Sequence, residues 1–265
     1  MKDKTSRRFF LKSSALAGFA SVVHTNTVLA NEQADNAVSG YDQAKNLVIL
    51  FQGDSITDGN RGRNKDPNHI MGHGYAFSVA SRVGADFASA NHIFYNRGIS
   101  GNRVADLEKR WQTDTLDIKP DILSVLIGIN DTSALGAKSA VEEADIDLFE
   151  ITYRNILTQS KQQNPDTLFV LCLPFVYPVS KVKDNWDKYS NTVARLTERT
   201  KKLASEFNSV VVDFPAVFNK AIKKAPIEYW IWDGIHPTVP GHELMTREWI
   251  KQVSSRIKFL RSYKY

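Results

Sequence analysis

Five short, continuous apolar runs constrain the fold of this chain more than any other feature: NLVILFQ (46–52), HIFYN (92–96), DILSVLIG (121–128), TLFVLCL (167–173) and SVVVDF (209–214). Each has strand length and no alternation of polar and apolar residues, so each reads as a strand buried on both faces. Helix-length stretches lie between them, for example Glu142 to Gln163 and Asn185 to Phe207. Strands buried on both faces and separated by helices predict an α/β fold with a parallel sheet covered on both sides, a single three-layer α/β/α sandwich with five strands. The apolar fraction of 42% over 265 residues supplies one full core, and no internal repeat, low-complexity tract or interdomain linker interrupts it.

The first thirty residues have a different character. Arg7 and Arg8 precede Phe10-Leu11-Lys12, a short apolar run and the small-residue site Val28-Leu29-Ala30. This pattern predicts a twin-arginine export signal over 1–30, followed by a polar segment over 31–45 and the folded domain over 46–265. The run from Ala15 to Val23 falls far short of the ~20 residues that span a bilayer, so no membrane span is expected once the signal is removed. Residues 1–30 hold five cations (Lys2, Lys4, Arg7, Arg8, Lys12) and one anion (Asp3), so without them the formal net charge falls from +5 to +1. The basic character belongs mostly to the signal and argues against nucleic acid as a partner. Cys172, the single cysteine, sits in an apolar run, which excludes an intrachain disulfide and predicts a buried, inert thiol.

In an open parallel sheet, ligands bind beyond the carboxyl ends of the strands. The segments leaving the predicted strands are rich in Gly, Asn, Asp and Ser, and the first, GDSITDGNRGRNKDPNHIMGHG, is long for a strand-to-helix connection. Its opening, Gly53-Asp54-Ser55-Ile56-Thr57-Asp58-Gly59, carries five specified residues of G-D-S-x-T-x-G, a coincidence on the order of 10⁻⁴ in such a chain. Near the other end, WIWDGIHPTVPGH (230–242) sets Asp233 three positions before His236. By itself that pair fits a metal half-site, a structural pair or the base end of a catalytic triad. The same spacing recurs at Asp66 and His69, eleven residues after Ser55, as a rival base. His69 and His73 are four apart, but Gly72 and Gly74 disfavour the helix that would make them a metal site, and no third ligand is evident. A loop pair lining the substrate cleft is the expectation for them. Pro237 and Pro240 are expected to keep the Asp233 segment out of a helix until Gly241.

The motifs taken in order resemble the SGNH (GDSL-type) serine hydrolases: Gly-Asp-Ser at 53–55, the glycine block GISGN at 98–102, Gly-x-Asn-Asp at 128–131 and Asp-x-x-His at 233–236. The resemblance runs from about residue 46 to 250 and implies a flavodoxin-like sheet. It implies Ser55 as nucleophile, His236 as base and Asp233 as the group that orients the imidazole. It further implies an oxyanion hole made by the backbone N–H groups of Ser55 and Gly101 and the side-chain amide of Asn130. A serine hydroxyl needs a neighbouring base, the base needs a carboxylate to fix its tautomer, and the developing oxyanion needs fixed donors. A glycine at 101 is expected to let the backbone come close.

Within that family GDSITD, GHGY, NRGISGN, KRWQTD, KPDILSVLIGIND and WDGIHPTVPGH resemble the acetylxylan esterase type. This implies removal of O-acetyl groups from polysaccharide or oligosaccharide through an acetyl-Ser55 intermediate, with an acetylated carbohydrate as partner, no cofactor, and a periplasmic or extracellular location. A homo-oligomer is compatible with it. Asp54, Trp230, Trp232 and His73 are candidate substrate contacts, with Tyr177 and Trp186 as candidates for the cleft rim. Two other readings stay open at this point: a short-chain acyl esterase or lysophospholipase-type lipid hydrolase using the same triad, and a non-catalytic carbohydrate-binding protein on the same fold.

Overall fold

A computed structural model describes residues 46–136, 138 and 140–265. The expected signal over 1–30 and the polar segment over 31–45 lie outside the described residues. In chain order the main elements are β1 (Val48–Gly53), α1 (Ser55–Asp58), α2 (Tyr75–Asp86), β2 (Ile93–Asn96), α3 (Val104–Asp114), β3 (Ile122–Leu126) and α4 (Ile129–Gly136). There follow α5 (Glu143–Gln163), β4 (Leu168–Cys172), α6 (Trp186–Glu206), β5 (Val210–Val212), α7 (Phe214–Ala221), α8 (Ile227–Trp230) and α9 (Val239–Val253).

The five strands form one parallel sheet in the order β2-β1-β3-β4-β5, with Leu50 opposite Tyr95 on one side and Leu123 on the other. The alternation inherent to a strand sends neighbouring side chains to opposite faces, and both are filled. Leu50, Leu123, Val125, Phe169 and Leu171 meet Leu107 and Trp111 of α3, Phe149 and Tyr153 of α5, and Leu196 and Leu203 of α6. On the other face Phe51 packs edge-on to Tyr75 of α2 and against Trp249 of α9, and Tyr75 in turn meets Phe214 of α7. Trp111 and Trp249 are among the largest fully buried side chains. Truncating either to alanine would cost about 3–5 kcal/mol. Each finds a partner for its indole N–H: Trp111 donates to Ser160 Oγ at 3.0 Å and Trp249 to Ser124 Oγ at 2.9 Å. Cys172 lies beside Ser124, and burial pushes its thiol up to about 12, outside the range in which it would act as a thiolate.

The sheet order places the switch point between β1 and β3: the chain moves to β2 on one side of β1 and then returns to β3 on the other. The carboxyl ends of these strands open into a crevice there, and Ser55, Gly101 and Asn130 all lie on segments leaving β1, β2 and β3. The Asp233 segment departs from expectation at its far end. Helix α9 begins at Val239, capped by Thr238, whose hydroxyl accepts the Gly241 N–H at 3.3 Å, and Pro240 lies within the first turn. Proline is tolerated there because the first-turn N–H groups have no intrahelical acceptor. Among the described residues no helix is long and apolar enough to cross a membrane.

Candidate active site

The turn after β1 is built to present Ser55. Asp54 caps the single-turn helix α1, its Oδ1 accepting the Ile56 N–H at 3.0 Å, and Ser55 follows as the first helical residue. Ser55 Oγ lies 2.8 Å from His236 Nε2 across 181 positions of sequence. On the other side of the ring, His236 Nδ1 donates to Asp233 Oδ2 at 2.7 Å, which leaves Nε2 as the acceptor for the serine proton. The second carboxylate oxygen, Oδ1, accepts the backbone N–H groups of Ile235 and His236 at 2.9 and 2.7 Å. Partial burial pushes the Asp233 carboxyl up, but these N–H bonds and the imidazole outweigh it and hold it below the ordinary range. The carboxylate therefore stays ionised wherever the imidazole is active, and it can stabilise an imidazolium.

Ile231 and Pro237 form an antiparallel bridge across this segment, and the Trp232 N–H returns to the His236 carbonyl at 3.2 Å. The Tyr177 N–H donates to the Gly234 carbonyl at 2.8 Å, which ties the loop to the strand-leaving segment after β4.

A second turn, from Gly98 to Asn102, lies against the first. The Ile99 N–H donates to the Gly53 carbonyl at 3.1 Å, and a Cβ on Gly98 would lie 2.3 Å from the Asp58 nitrogen, so only glycine lets the two turns touch. Asp58 grips the second turn: its Oδ2 accepts both the N–H and the hydroxyl of Ser100, at 3.0 and 3.1 Å, and the guanidinium of Arg63. Asn96 locks the same joint from below, donating to the Thr57, Asp58 and Met71 carbonyls and accepting the Gly98 N–H.

Gly101 is exposed with φ +83°, and a Cβ there would meet nothing within 4 Å. No protein atom crowds this position, and what calls for glycine within the chain itself is the left-handed conformation, which it adopts without cost. Asn130 is the second residue of α4, and its Nδ2 donates to the Asn102 carbonyl at 3.1 Å. One of its two N–H bonds is thereby anchored and the other remains to serve a ligand.

The remaining candidates divide. Trp232 is 63% exposed and stacks beside His236, with ring centroids 6.5 Å apart and planes at 27°. His73 is exposed, and it and His236 both lie near His242, which sequence reasoning passed over. Burial first, then these two neighbours, bring His242 down to about 4, and its Nδ1 accepts the Tyr75 N–H at the start of α2 at 3.2 Å.

Asp54 and Trp230 are turned to other partners. Asp54 is 0% exposed and turned into its own helix cap. Trp230 donates its indole N–H to the Ala225 carbonyl and lines a groove of about 420 Å³ between α7 and α9, with Leu244, Arg247 and Tyr265, which contains none of Ser55, Asp233 or His236.

Tyr177 and Trp186 line a separate cavity of about 550 Å³, where the Tyr177 hydroxyl donates to the Pro215 carbonyl. The rival His69 is 71% exposed, 3.6 Å from Asp66, with no hydrogen bond to Ser55. Among the described residues no group of three His, Cys, Asp or Glu could hold a metal ion.

A hydroxyl, an imidazole and a carboxylate in hydrogen-bonded sequence, at the crevice of a doubly covered parallel sheet, define the geometry of an acyl-transfer enzyme. The chain matches the profile of the GDSL-like lipase/acylhydrolase family over residues 51–244; it belongs to that family and is a carboxylic ester hydrolase. It is 32% identical over 212 residues to an acetylxylan esterase of Geobacillus stearothermophilus, covering 77% of this chain and 93% of that one. The crystal structure of an acetylxylan esterase from that organism superposes with a TM-score of 0.68 at 30% identity, covering 80% of this chain and 96% of the other. Catalytic mutants of that esterase, with a serine or an aspartate changed to alanine, have the same fold. A GDSL-like protein of Parabacteroides merdae superposes with a TM-score of 0.74 at 36% identity, covering 81% of this chain and 98% of the other.

Proposed function

We propose that this enzyme removes O-acetyl groups from polysaccharide or oligosaccharide through an acetyl-Ser55 intermediate. The observation that carries the reading is the unbroken relay from Ser55 Oγ through His236 to Asp233. The similarity to an acetylxylan esterase over nearly all of that enzyme's length supports the substrate class.

In the first step the Ser55 hydroxyl attacks the acetyl carbonyl as His236 Nε2 takes its proton, and Asp233 stabilises the imidazolium. The carbonyl oxygen, now carrying the negative charge, faces the Ser55 and Gly101 N–H groups and the free N–H of Asn130. Each such donor is worth about 10² to 10³ in rate. Collapse expels the sugar alkoxide, which leaves with the proton from His236. Water then attacks the acetyl-serine with His236 again as base, releasing acetate and restoring the hydroxyl.

Trp232 offers an exposed indole face beside the base, suited to stack on a pyranose ring, and His73 borders the same region. Residues 1–30 serve export by the twin-arginine route, which delivers the folded enzyme to the periplasm or beyond.

The test is acetate release from acetylated xylan, its oligosaccharides and a series of acyl esters of rising chain length, with wild-type enzyme and Ser55→Ala. Release from the glycans, activity confined to short acyl chains, and a loss of about 10⁴ or more in turnover for the variant are expected. Full activity in Ser55→Ala would refute the mechanism, and a preference for long acyl chains without glycan deacetylation would refute the substrate.

A further inference from the structure

Arg110, on α3, takes no part in the steps above, yet its guanidinium joins the pieces those steps require. Its side chain is only 15% exposed. Nε donates to Asn102 Oδ1 at 2.8 Å; Nη1 lies 2.8 Å from the Arg97 carbonyl, 3.0 Å from Gln52 Oε1 and 2.9 Å from Asp114 Oδ2; Nη2 reaches the Gly53 carbonyl at 3.4 Å. Gly53 comes two residues before Ser55. Arg97 and Asn102 bracket the turn that carries Gly101. The Asn102 carbonyl in turn receives the side-chain amide of Asn130.

A buried cation is costly unless its donors are satisfied; here Asp114 of the same helix supplies the countercharge, Gln52 of β1 one further acceptor, and Asn102, Arg97 and Gly53 at the two turns the rest. The rigid, planar fork of an arginine sets several acceptors at fixed relative positions, which a lysine ammonium, a single point of charge on a flexible stem, does not. Donors to a developing oxyanion act only when held to within about 0.5 Å of the productive geometry.

We propose that Arg110 is a positioning residue that sets the three oxyanion donors, on Ser55, Gly101 and Asn130, at their working distances from one another. The inference rests on the roles proposed above for those three groups.

Arg110→Lys keeps a charge opposite Asp114 but loses the fork, and Asn102→Ala removes only the contact through Nε. Both are assayed on a short aryl acetate and on its thiono analogue, whose C=S sulfur is a poor hydrogen-bond acceptor and gains little from the donors. For each variant kcat on the oxygen ester should fall about tenfold to a hundredfold. KM should change less than about threefold, because the loss falls on the transition state. The preference for oxygen over thiono ester should shrink by the same factor as kcat.

Equal losses on both esters would mean that Arg110 serves general stability, and an unchanged kcat in Arg110→Lys would mean that the fork is dispensable; either result overturns the proposal. If Arg110→Lys does not fold, Asn102→Ala carries the same readout. Ser55→Ala run in parallel separates the two levels of the reading. An active Ser55→Ala sinks the mechanism itself, whereas an inactive Ser55→Ala beside wild-type kcat and ester preference in both other variants sinks only the role of Arg110.

Discussion

Asp54→Asn should change how the stability of this enzyme depends on pH, because Asp54 places a carboxyl where a charge is hard to hold. The residue is 0% exposed, its Oδ1 accepts the Ile56 N–H, and its Oδ2 has no hydrogen-bond partner. Burial, with the nearby Asp131 adding to it and the Ile56 N–H opposing, raises the carboxyl from 3.8 to about 7. A group that holds its proton more tightly when folded stabilises the native state fully below its unfolded pKa. That stabilisation drains away as pH rises and is gone above the folded pKa. Over the interval from 3.8 to about 7 the difference amounts to about 4 kcal/mol.

Asparagine retains the cap, since its carbonyl can accept the same N–H and Asn caps about as well as Asp, and it has no charge to bury. Wild type should therefore lose about 4 kcal/mol relative to Asp54→Asn between pH 4 and pH 8. Asp131, also raised to about 7 chiefly by burial, is coupled to Asp54, so the difference between the two curves reports Asp54 together with the part of the Asp131 shift that Asp54 causes. Urea unfolding at half-unit intervals of pH gives both curves. Curves that stay parallel to within about 1 kcal/mol would refute the claim that Asp54 is protonated in the folded enzyme at acidic pH.

Two further comparisons follow. His236→Ala should lower esterase turnover by about 10⁴ while His69→Ala leaves it within a few-fold, measured on the same aryl ester; the opposite ranking would promote the exposed Asp66–His69 pair. Gly98→Ala and Gly101→Ala should differ in kind: the first forces a Cβ to 2.3 Å from the Asp58 nitrogen and should lower stability by roughly 2 kcal/mol or more. The second meets nothing within 4 Å and should cost only about 1–2 kcal/mol for its positive φ, with a larger effect on turnover than on melting. Thermal melts beside kcat distinguish the two.

The layout of the sheet was legible because strands covered on both faces must be mostly apolar: four of the five runs contain an observed strand, the first overlaps β1 and ends one residue before it does, and the helix expected from Glu142 to Gln163 appears as Glu143–Gln163. The spacing of Asp233 and His236 was visible too, since three positions suffice for a carboxylate to reach an adjacent ring in a tight loop.

What escaped depends on contacts that no local pattern encodes. Asp58, Asn96 and Arg110 hold the two turns together through partners tens of residues away, and nothing in the spacing of charges marks them as structural. Gly101 is only partly legible for a related reason: a bare glycine does not say whether it is needed for room or for its dihedral angle. Asp54 and Trp230 sit next to functional-looking residues, and adjacency in sequence says little about which way a side chain points when a helix cap or a short helix intervenes.

The bridge between Ile231 and Pro237 has a mechanical consequence. It closes a seven-residue clip whose own backbone, together with the N–H groups that Asp233 collects, holds acid and base in mutual register without help from the strands. Acid and base are thereby one local unit, and only the contact to Ser55 depends on how the sheet sets this clip against the turn after β1.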